Sequence, residues 1–454
     1  MKRLFYITVL ASWCMLSHAQ PSAKTDIATS VEAYGTPFKG LPDRRDVILY
    51  QVNMRVFGKD GNFRNVIDRL DSIRSLGANV VYLMPIYPVG QVRAVNSPYC
   101  IKDYDAINSE FGDLRDLREL VDKAHEKKLA VILDWVANHT AYDHPWTNNK
   151  SWYLQDSTGN IVSPPGMGWN DVAQLNFKNQ DMRREMIRSM KDWVLKANID
   201  GFRCDYSDGP PADFWKQVLD TLNAMPGRNL LMLAEGSRST NFTVGFDYNF
   251  GFNFFGTLKS VYEKGKPATA IESVTAADYA MASPSQRMVR YTSNHDVNGS
   301  DGTPEELFGG ERGAMGAFVV AAYMKGIPMI YNGQEVGTPY RLLFPFTSAK
   351  IDWKLNPERT NEYRRILAFY KSSDAVRRGD MKNFSTNDVC AFEKKIGREQ
   401  VLVLVNVRNS PVDFNVAQGL KGKWSDVFSQ KKVQIKNNVS LQPYSYIVLK
   451  RDIK

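Results

Sequence analysis

Short apolar runs alternate with amphipathic stretches through most of the chain. The runs from Val47 to Val52 and from Val80 to Met84 predict buried strands. Between them, Asn65 to Leu76 predicts a helix that ends at Gly77. Leu114 to Lys128 repeats the helical pattern, with apolar residues at 114, 117, 120, 121 and 124. This succession of strand, helix and strand predicts an α/β fold built on parallel strands.

Four of the predicted strands run directly into acidic residues. Three of them end at Asp134, Asp205 and Glu235, and the fourth, Met288 to Ser293, continues into Asn294-His295-Asp296. Further strands are predicted over Val244 to Tyr248 and over Ile327 to Tyr331. In a barrel of parallel strands the C-terminal strand ends share one face, and catalytic residues collect there. The pattern therefore predicts a (β/α)8 TIM barrel.

Changes in the periodicity of apolar residues along the chain set the predicted domain boundaries. About 40 residues with little periodicity follow His139, and an excursion of that length in a regular array is usually functional. After the last predicted barrel helix, Pro357 to Val376, the chain shows short alternating stretches typical of antiparallel strands, at Asp388 to Glu393, Gln400 to Val407, Val412 to Val416 and Tyr444 to Lys450. We predict a barrel over 43–377, a short inserted domain over 140–180 after the third strand, and a C-terminal antiparallel β-sandwich over 378–454.

Arg203 and Asp205 lie two positions apart on a predicted strand, so their side chains project to the same side. A guanidinium beside a carboxylate favours the ionised form, which predicts a low pKa for Asp205. Such a pair suits a nucleophile and the group that keeps it ionised. The alternative is a structural ion pair at a strand end.

Seven blocks of the sequence, taken in order, resemble glycoside hydrolase family 13, the α-amylase family. Its four signature regions are similar to DWVANH at 134–139, GFRCD at 201–205, the strand ending at Glu235, and NHD at 294–296. Supporting similarity lies in LYQVNMRVF at 49–57, SPYCIKDYDAIN at 97–108 and GIPMIYNGQE at 326–335. The resemblance covers about 43–454 and identifies the 140–180 insertion with the family's small B domain.

This resemblance implies a retaining glycosidase mechanism with two carboxyl groups about 5 to 5.5 Å apart. Asp205 would be the nucleophile, and Glu235 would act first as the acid and then as the base. Asp296 matches the family's third carboxylate and would stabilise the positive charge that develops on the sugar.

Further site residues follow from the resemblance. His139 and His295 would bind hydroxyl groups of the sugar that is cleaved, and Tyr99 would stack on its ring. Arg203 is counted with these substrate-binding residues and would also contact the nucleophile. Asn138 is a possible calcium ligand, together with oxygen atoms from the 141–180 segment, because calcium takes six to eight oxygen ligands.

Two positions depart from the family pattern. Many α-amylases carry Lys-His three and four residues after the nucleophile, where the lysine contacts the sugar and the histidine carbonyl binds calcium. This chain has Asp208 and Gly209 there. The lysine contact is therefore lost, and the calcium site loses one of its usual partners.

Composition and the N-terminal residues indicate the type of ligand and the cellular location. The 454 residues carry a net charge of +9, which is spread along the chain and gives no nucleic-acid footprint, and the 12% aromatic content suits stacking on sugars. Lys2 and Arg3 precede an apolar run that is too short for a membrane span, which predicts a signal peptide over 1–19, followed by a flexible leader over 20–42. We expect a periplasmic or secreted protein. Anchoring as a lipoprotein through Cys14 is the alternative.

The sequence thus predicts a hydrolase of α-glucosidic bonds, mainly α-1,4, in starch and maltooligosaccharides. Its alternatives are a cyclomaltodextrinase or neopullulanase, an oligo-α-1,6-glucosidase, and a non-catalytic relative that binds glucans. Decayed relatives tend to lose the carboxylates, whereas Asp205, Glu235 and Asp296 are all present. Transglycosylation would use the same residues. Endo or exo action and oligomeric state do not follow from the sequence.

Overall fold

Eight parallel strands close into a barrel at the centre of the computed structural model, which describes residues 31–453. In chain order the strands are β1 (Leu49–Val52), β2 (Val80–Leu83), β3 (Ala130–Val136), β4 (His139–Ala141), β5 (Val172–Gln174), β6 (Gly201–Asp205), β7 (Leu231–Ala234), β8 (Tyr248–Phe250), β9 (Arg287–Arg290), β10 (Ile327–Tyr331), β11 (Asp380–Asn383), β12 (Val389–Ile396), β13 (Glu399–Asn406), β14 (Val412–Asn415), β15 (Gly422–Asp426), β16 (Lys432–Ile435), β17 (Asn438–Leu441) and β18 (Tyr446–Asp452).

The helices lie between the barrel strands and after them. They are α1 (Met54–Phe57), α2 (Phe63–Ile67), α3 (Leu70–Leu76), α4 (Leu114–Glu126), α5 (Gln180–Ala197), α6 (Ala212–Asn223), α7 (Thr240–Val244), α8 (Phe252–Glu263), α9 (Thr269–Asp278), α10 (His295–Ser300), α11 (Pro304–Leu307), α12 (Glu311–Tyr323), α13 (Pro357–Ser372) and α14 (Asp374–Arg378). Short 3-10 helices cover Arg44–Asp46, Pro145–Asn148, Lys150–Trp152, Gln334–Val336 and Gln418–Leu420.

The barrel strands are hydrogen-bonded in the circular order β1-β10-β9-β8-β7-β6-β3-β2. Strands β1, β2, β3, β6, β7, β8, β9 and β10 are buried throughout, as expected for a parallel sheet covered by helices on its outer side. The predicted TIM barrel is therefore confirmed. Since the strands are parallel, their C-terminal ends form one face of the molecule.

The segment that follows β3 leaves the barrel. Its strands β4 and β5 form a small antiparallel pair, with His139 opposite Gln174 and Ala141 opposite Val172. The two 3-10 helices at Pro145–Asn148 and Lys150–Trp152 lie between them. This small unit begins where β3 ends, so it stands beside the C-terminal face of the barrel.

The C-terminal part of the chain is antiparallel β-structure, as predicted. One sheet has six strands in the order β11-β12-β13-β18-β15-β16, and β14 pairs with β17 in a second sheet. Buried residues from both sheets share one apolar core, which includes Leu402, Leu404, Phe414, Trp424 and Leu441. The two sheets therefore pack face to face as a small sandwich.

Several predicted element boundaries are wrong. The predicted helix over Asn65 to Leu76 is two helices, α2 and α3, and the predicted helix over Pro357 to Val376 divides at Ser373, whose hydroxyl caps α14. The predicted strand over Val244 to Tyr248 begins only at Tyr248, because α7 extends to Val244 and Gly245 closes it in a left-handed conformation.

Part of the predicted flexible leader is packed against the barrel. The Tyr34 amide donates to the Leu195 carbonyl at 2.9 Å, and its hydroxyl donates to Asp122 at 2.6 Å. Phe38 stacks on His125 with ring centroids 4.2 Å apart. The predicted signal peptide and the Cys14 alternative lie outside the described residues. Within 31–453, no helix combines the length and the apolar character that crossing a bilayer requires.

Candidate active site

A cleft of about 1090 Å³ opens at the C-terminal face of the barrel. Six of the residues predicted from sequence line it, namely Tyr99, His139, Asp205, Glu235, His295 and Asp296. The side chains of Asp205 and Glu235 are 12% and 11% exposed, whereas Asp296 is 59% exposed at the start of α10. The cleft thus places two nearly buried carboxyl groups and one exposed carboxylate around the same space.

Arg203 lies fully buried beneath the carboxyl groups. Its Nη1 donates to Asp134 Oδ1 at 2.7 Å and to Asp205 Oδ1 at 2.8 Å. Its Nη2 contacts Glu235 Oε1. One guanidinium therefore holds carboxylates from three neighbouring strand ends, which fixes the positions of Asp205 and Glu235 relative to each other.

The strand register explains why these residues meet. Asp134 of β3 is the pairing partner of Arg203 in β6, and Arg203 in turn is opposite Leu233 of β7. Gly201 opens β6 with φ of +149°, and a Cβ there would lie 2.0 Å from the carbonyl oxygen of Leu231. The glycine therefore allows the close approach of β6 and β7 that brings Asp205 beside Glu235.

Burial controls the protonation of the two carboxyl groups. It raises the pKa of Asp205 to about 7, against the lowering effect of Arg203 and with a further increase from Asp134. Burial also raises the pKa of Glu235 well above its ordinary value, and Arg203 opposes this shift too. The prediction of a low pKa for Asp205 is therefore wrong for the free protein, because one guanidinium does not offset burial among several acids.

Tyr99 and His295 form a pair at one wall of the cleft. Their rings stack with centroids 5.3 Å apart, and the Tyr99 hydroxyl lies 2.7 Å from His295 Nε2. The same hydroxyl donates to Asp134 Oδ2 at 3.0 Å, and Gln51 Nε2 lies 2.8 Å from His295 Nδ1. Burial lowers the pKa of His295, so the imidazole is neutral at ordinary pH. Both ring nitrogens are therefore held in fixed directions.

His139 borders the cleft on the side of the inserted segment. Burial lowers its pKa to about 4, which keeps the ring neutral. The ring packs edge-on against Trp169, with centroids 5.6 Å apart. A neutral imidazole in this position can exchange hydrogen bonds with a sugar hydroxyl group without carrying a charge.

Asn138 does not line the cleft within the described part of the chain, and its surroundings do not fit calcium. Its Nδ2 donates to Gln174 Oε1 at 3.2 Å, and Gln174 Nε2 donates to the Asn138 carbonyl at 2.9 Å. Gln174 Nε2 also donates to Asn138 Oδ1 at 3.3 Å, so the two side chains form a neutral amide pair between β5 and the residue that precedes β4. Within residues 31–453, no three His, Cys, Asp or Glu side chains are grouped as metal ligands. Calcium takes six to eight oxygen ligands, whereas the Asn138 and Gln174 side-chain oxygens here accept hydrogen bonds from each other's amides.

Four aromatic residues of the cleft were not predicted from the sequence as site residues. They are Trp169, Tyr206, Phe252 and Phe344. Trp169 and Tyr206 meet edge-to-face with centroids 5.0 Å apart, and Phe344 is 52% exposed. The available signals were the aromatic residues in the nonperiodic 141–180 segment and the aromatic position directly after Asp205. Neither signal by itself separates a binding residue from a core residue.

Comparison with known proteins agrees with this arrangement. A family model described as the alpha amylase catalytic domain matches residues 31–160 and 166–388, and one described as the maltogenic amylase C-terminal domain matches 383–448. Alpha-amylase 2 of Dictyoglomus thermophilum is 26% identical over 86% of this chain and 71% of its own length. A cyclomaltodextrinase of Thermoanaerobacter pseudethanolicus is 23% identical over 86% of this chain and 71% of its own length.

Solved structures show the same fold. The noncanonic maltogenic alpha-amylase of Thermotoga neapolitana superposes with a TM-score of 0.80 at 22% identity, covering 91% of this chain and 100% of its own. An alpha-amylase from Lactobacillus plantarum gives a TM-score of 0.81 at 23% identity, covering 90% and 99%. Because the catalytic-domain model matches well over half of its residues, the chain belongs to the α-amylase family of glycoside hydrolases.

Proposed function

We propose that the protein is a retaining glycoside hydrolase that cleaves α-glucosidic bonds, mainly α-1,4, in starch and maltooligosaccharides. The observation that carries this proposal is the contact of one buried guanidinium, that of Arg203, with both Asp205 and Glu235 at the bottom of the cleft. Retaining glycosidases need their two carboxyl groups about 5 to 5.5 Å apart, one to attack and one to transfer the proton, and a single guanidinium that contacts both groups holds them close together.

The reaction begins with the pair sharing one proton near neutral pH, because burial raises the pKa of both groups. We place that proton on Glu235 Oε and the negative charge on Asp205. Asp205 attacks the anomeric carbon while Glu235 gives its proton to the departing glycosidic oxygen. Glu235 then takes a proton from water, which attacks the glycosyl-enzyme ester and releases the sugar with its original configuration.

The other residues bind the sugar and stabilise its charge. Asp296 lies at the cleft as an exposed carboxylate and would face the positive charge that grows on the ring during both steps. His139 and His295 are neutral. His139 would hydrogen-bond a sugar hydroxyl group directly, and His295 would do so by exchanging its contact with the Tyr99 hydroxyl for one with the sugar, while the ring of Tyr99 would stack on the sugar. Neutral hydrogen-bonding groups and an aromatic ring suit the binding of an uncharged glucan.

A cyclomaltodextrinase or neopullulanase activity is the second candidate. The C-terminal segment 383–448 matches the model of the maltogenic amylase C-terminal domain, and cyclomaltodextrinases are among the relatives. Oligo-1,6-glucosidases also match, although over only 36% of this chain. The first candidate is supported by α-amylase relatives that match 86% and 93% of the chain.

The deciding experiment is the product pattern of the purified protein on soluble starch, pullulan, a cyclodextrin and isomaltotriose. We expect mixed maltooligosaccharides from starch and no turnover by Asp205→Asn. Preference for the cyclodextrin or for pullulan would favour the second candidate. Turnover of isomaltotriose alone would identify an α-1,6-glucosidase. Full activity of Asp205→Asn would exclude Asp205 as the nucleophile.

We also propose that the protein is exported to the periplasm or the medium. This proposal rests on the basic and apolar residues at 2–16 and the small residues at Ser17 and Ala19. The test of export is fractionation of cells that express the full chain, compared with cells that express a variant with charged residues inserted in the apolar run. Retention of both in the cytoplasm would contradict export, and labelling of Cys14 by fatty acid would support the lipoprotein alternative.

A further inference from the structure

Asp208 lies three residues after Asp205, where the family resemblance implied a lysine that contacts the sugar. It is not among the described residues that line the cleft. Its carboxylate instead accepts hydrogen bonds from the loop that follows β7. Oδ2 accepts from the Ser237 amide at 2.8 Å and from the Ser237 hydroxyl at 3.1 Å, and Oδ1 accepts from Asn241 Nδ2 at 3.1 Å.

This loop begins at Glu235. The Ser237 amide that Asp208 binds is only two residues beyond the carboxyl group of the cleft, and Gly236 lies between them. A Cβ on Gly236 would lie 2.3 Å from Asp208 Oδ1 and 2.5 Å from Asn241 Nδ2. The chain therefore passes so close to Asp208 that a side chain on residue 236 would displace it.

A second set of contacts holds the far end of the loop. Asn249 of β8 donates through Nδ2 to the Arg238 carbonyl at 3.1 Å, and its Oδ1 accepts from Asn241 Nδ2 at 3.2 Å. Asn241 and Asn249 are 4% and 2% exposed, so these bonds lie within the protein. Asn241 thus connects Asp208 to the barrel strand next to β7.

We propose that Asp208 is a positioning residue, which fixes the direction of the Glu235 carboxyl group by anchoring the first turn of its loop. The inference rests on the proposed role of Glu235 as the general acid. A carboxylate can accept from the Ser237 amide, whereas the ammonium group of a lysine cannot. The residue at this position therefore serves the acid of the reaction and not the substrate.

The test compares two substrates that differ in their need for an acid. Maltotriose has a poor leaving group, which must be protonated as it departs. In 2-chloro-4-nitrophenyl α-maltotrioside the leaving group is a stable phenolate and needs little protonation. For Asp208→Ala we expect kcat/KM on maltotriose, which reports the acid-dependent first step, to fall about 10- to 100-fold through kcat, and the first-turnover rate of phenolate release to change by less than about 3-fold. Asp208→Asn keeps the volume and one accepting oxygen but turns an amide NH2 group toward one set of these donors, so it should show the same pattern more weakly.

Two control variants separate the possible failures. In the same two measurements, Glu235→Gln must lower kcat/KM for maltotriose far more than it lowers the first-turnover rate of phenolate release, which precedes the base-assisted second step. If it lowers both equally, the proposed role of Glu235 as the acid is wrong. Asp426→Ala removes a similar half-buried aspartate that binds turn amides in the C-terminal sheet, and it should leave both rates unchanged. If Glu235→Gln separates the substrates and both Asp208 variants do not, Asp208 is not a positioning residue. Melting temperatures of all variants identify losses caused by unfolding, which would lower both rates together.

Discussion

The backbone amide of Tyr206 donates a hydrogen bond of 2.8 Å to Glu235 Oε2. The residue that follows Asp205 in the chain therefore binds the second carboxyl group of the cleft. Tyr206 has φ of +39°, a left-handed conformation that is unusual for a bulky residue and that recurs at functional sites. This turn directs the amide toward β7, so the end of β6 controls both carboxyl groups.

The pH dependence of kcat/KM should have its acid limb near neutrality. Asp205 must be ionised to attack, and burial raises its pKa to about 7, so activity falls as the pH falls through 7. Glu235 must be protonated to act as the acid, and burial raises its pKa as well. Activity therefore falls again when the pH rises through the pKa of Glu235. Steady-state rates on a maltooligosaccharide across the acid and alkaline range measure both limbs. An acid limb near the ordinary aspartate pKa of about 4 would contradict the effect of burial.

Asp205→Asn should stabilise the protein as it abolishes activity. A carboxyl group whose pKa is raised on folding costs stability once it ionises, and this cost builds between its ordinary pKa of 3.8 and about 7 and is complete above that. An uncharged amide avoids this cost. Denaturant unfolding at slightly alkaline pH should show a gain of about 1 to 4 kcal/mol, which shrinks as the pH falls toward 4.

The control for this comparison is Asp213→Asn, since Asp213 is exposed and its pKa is lowered by its hydrogen bond to Arg183. That substitution should be neutral or destabilising above the ordinary aspartate pKa. A loss of stability in Asp205→Asn at alkaline pH would mean that the contact with Arg203 outweighs the cost of burial.

The barrel could be predicted from sequence because strands such as β2 and β7 are uninterrupted apolar runs and because Asp205 and Glu235 lie where strands end. The helix and strand boundaries that were predicted wrongly depend on contacts between distant residues, which a local sequence pattern does not indicate. The side chain of Asp247, directly before β8, accepts from the Met232 amide at 2.9 Å and pairs with Arg44, and these partners are 15 and 203 positions away in the sequence. The pKa of Asp205 was missed for a similar reason, because burial is a property of the assembled fold.

The place of some cleft residues could be predicted from the sequence, and that of others could not. Carboxylates and histidines at strand ends carry a chemical signal together with a position, so their placement followed from the barrel. Trp169 comes from the nonperiodic segment, where only the fold determines which aromatic residue reaches the cleft. The turning of Asp208 away from the cleft depends on donors in a loop that follows the next strand, and spacing alone does not reveal that contact.

Removal of calcium should leave the protein unaffected, because the Asn138–Gln174 amide pair occupies the position where a calcium ligand was expected. We expect no change in melting temperature or activity with EDTA. Gln174→Ala should lower the free energy of unfolding by about 1 to 3 kcal/mol, since it removes the hydrogen bonds between the buried Gln174 side chain and Asn138. Gln155→Ala, at an exposed position of the same inserted segment, should change it little. A fall in melting temperature with EDTA that added calcium restores would contradict this expectation.

Trp169→Ala should weaken binding of glucan chains more than it slows the chemistry. Trp169 lies on the cleft wall between His139 and Tyr206, and its ring makes edge-on contacts with theirs at centroid distances of 5.6 and 5.0 Å. Loss of one stacking surface worth about 1 kcal/mol should raise KM about 3- to 10-fold with little change in kcat. Trp169→Phe, which keeps an aromatic face, should recover most of the affinity.

Rates measured on maltooligosaccharides of increasing length locate the sugar that stacks on Trp169, because only chains long enough to reach Trp169 should distinguish the alanine variant from the natural protein. An equal fall in kcat for every length would instead mean that Trp169 supports the catalytic groups through His139 and Tyr206.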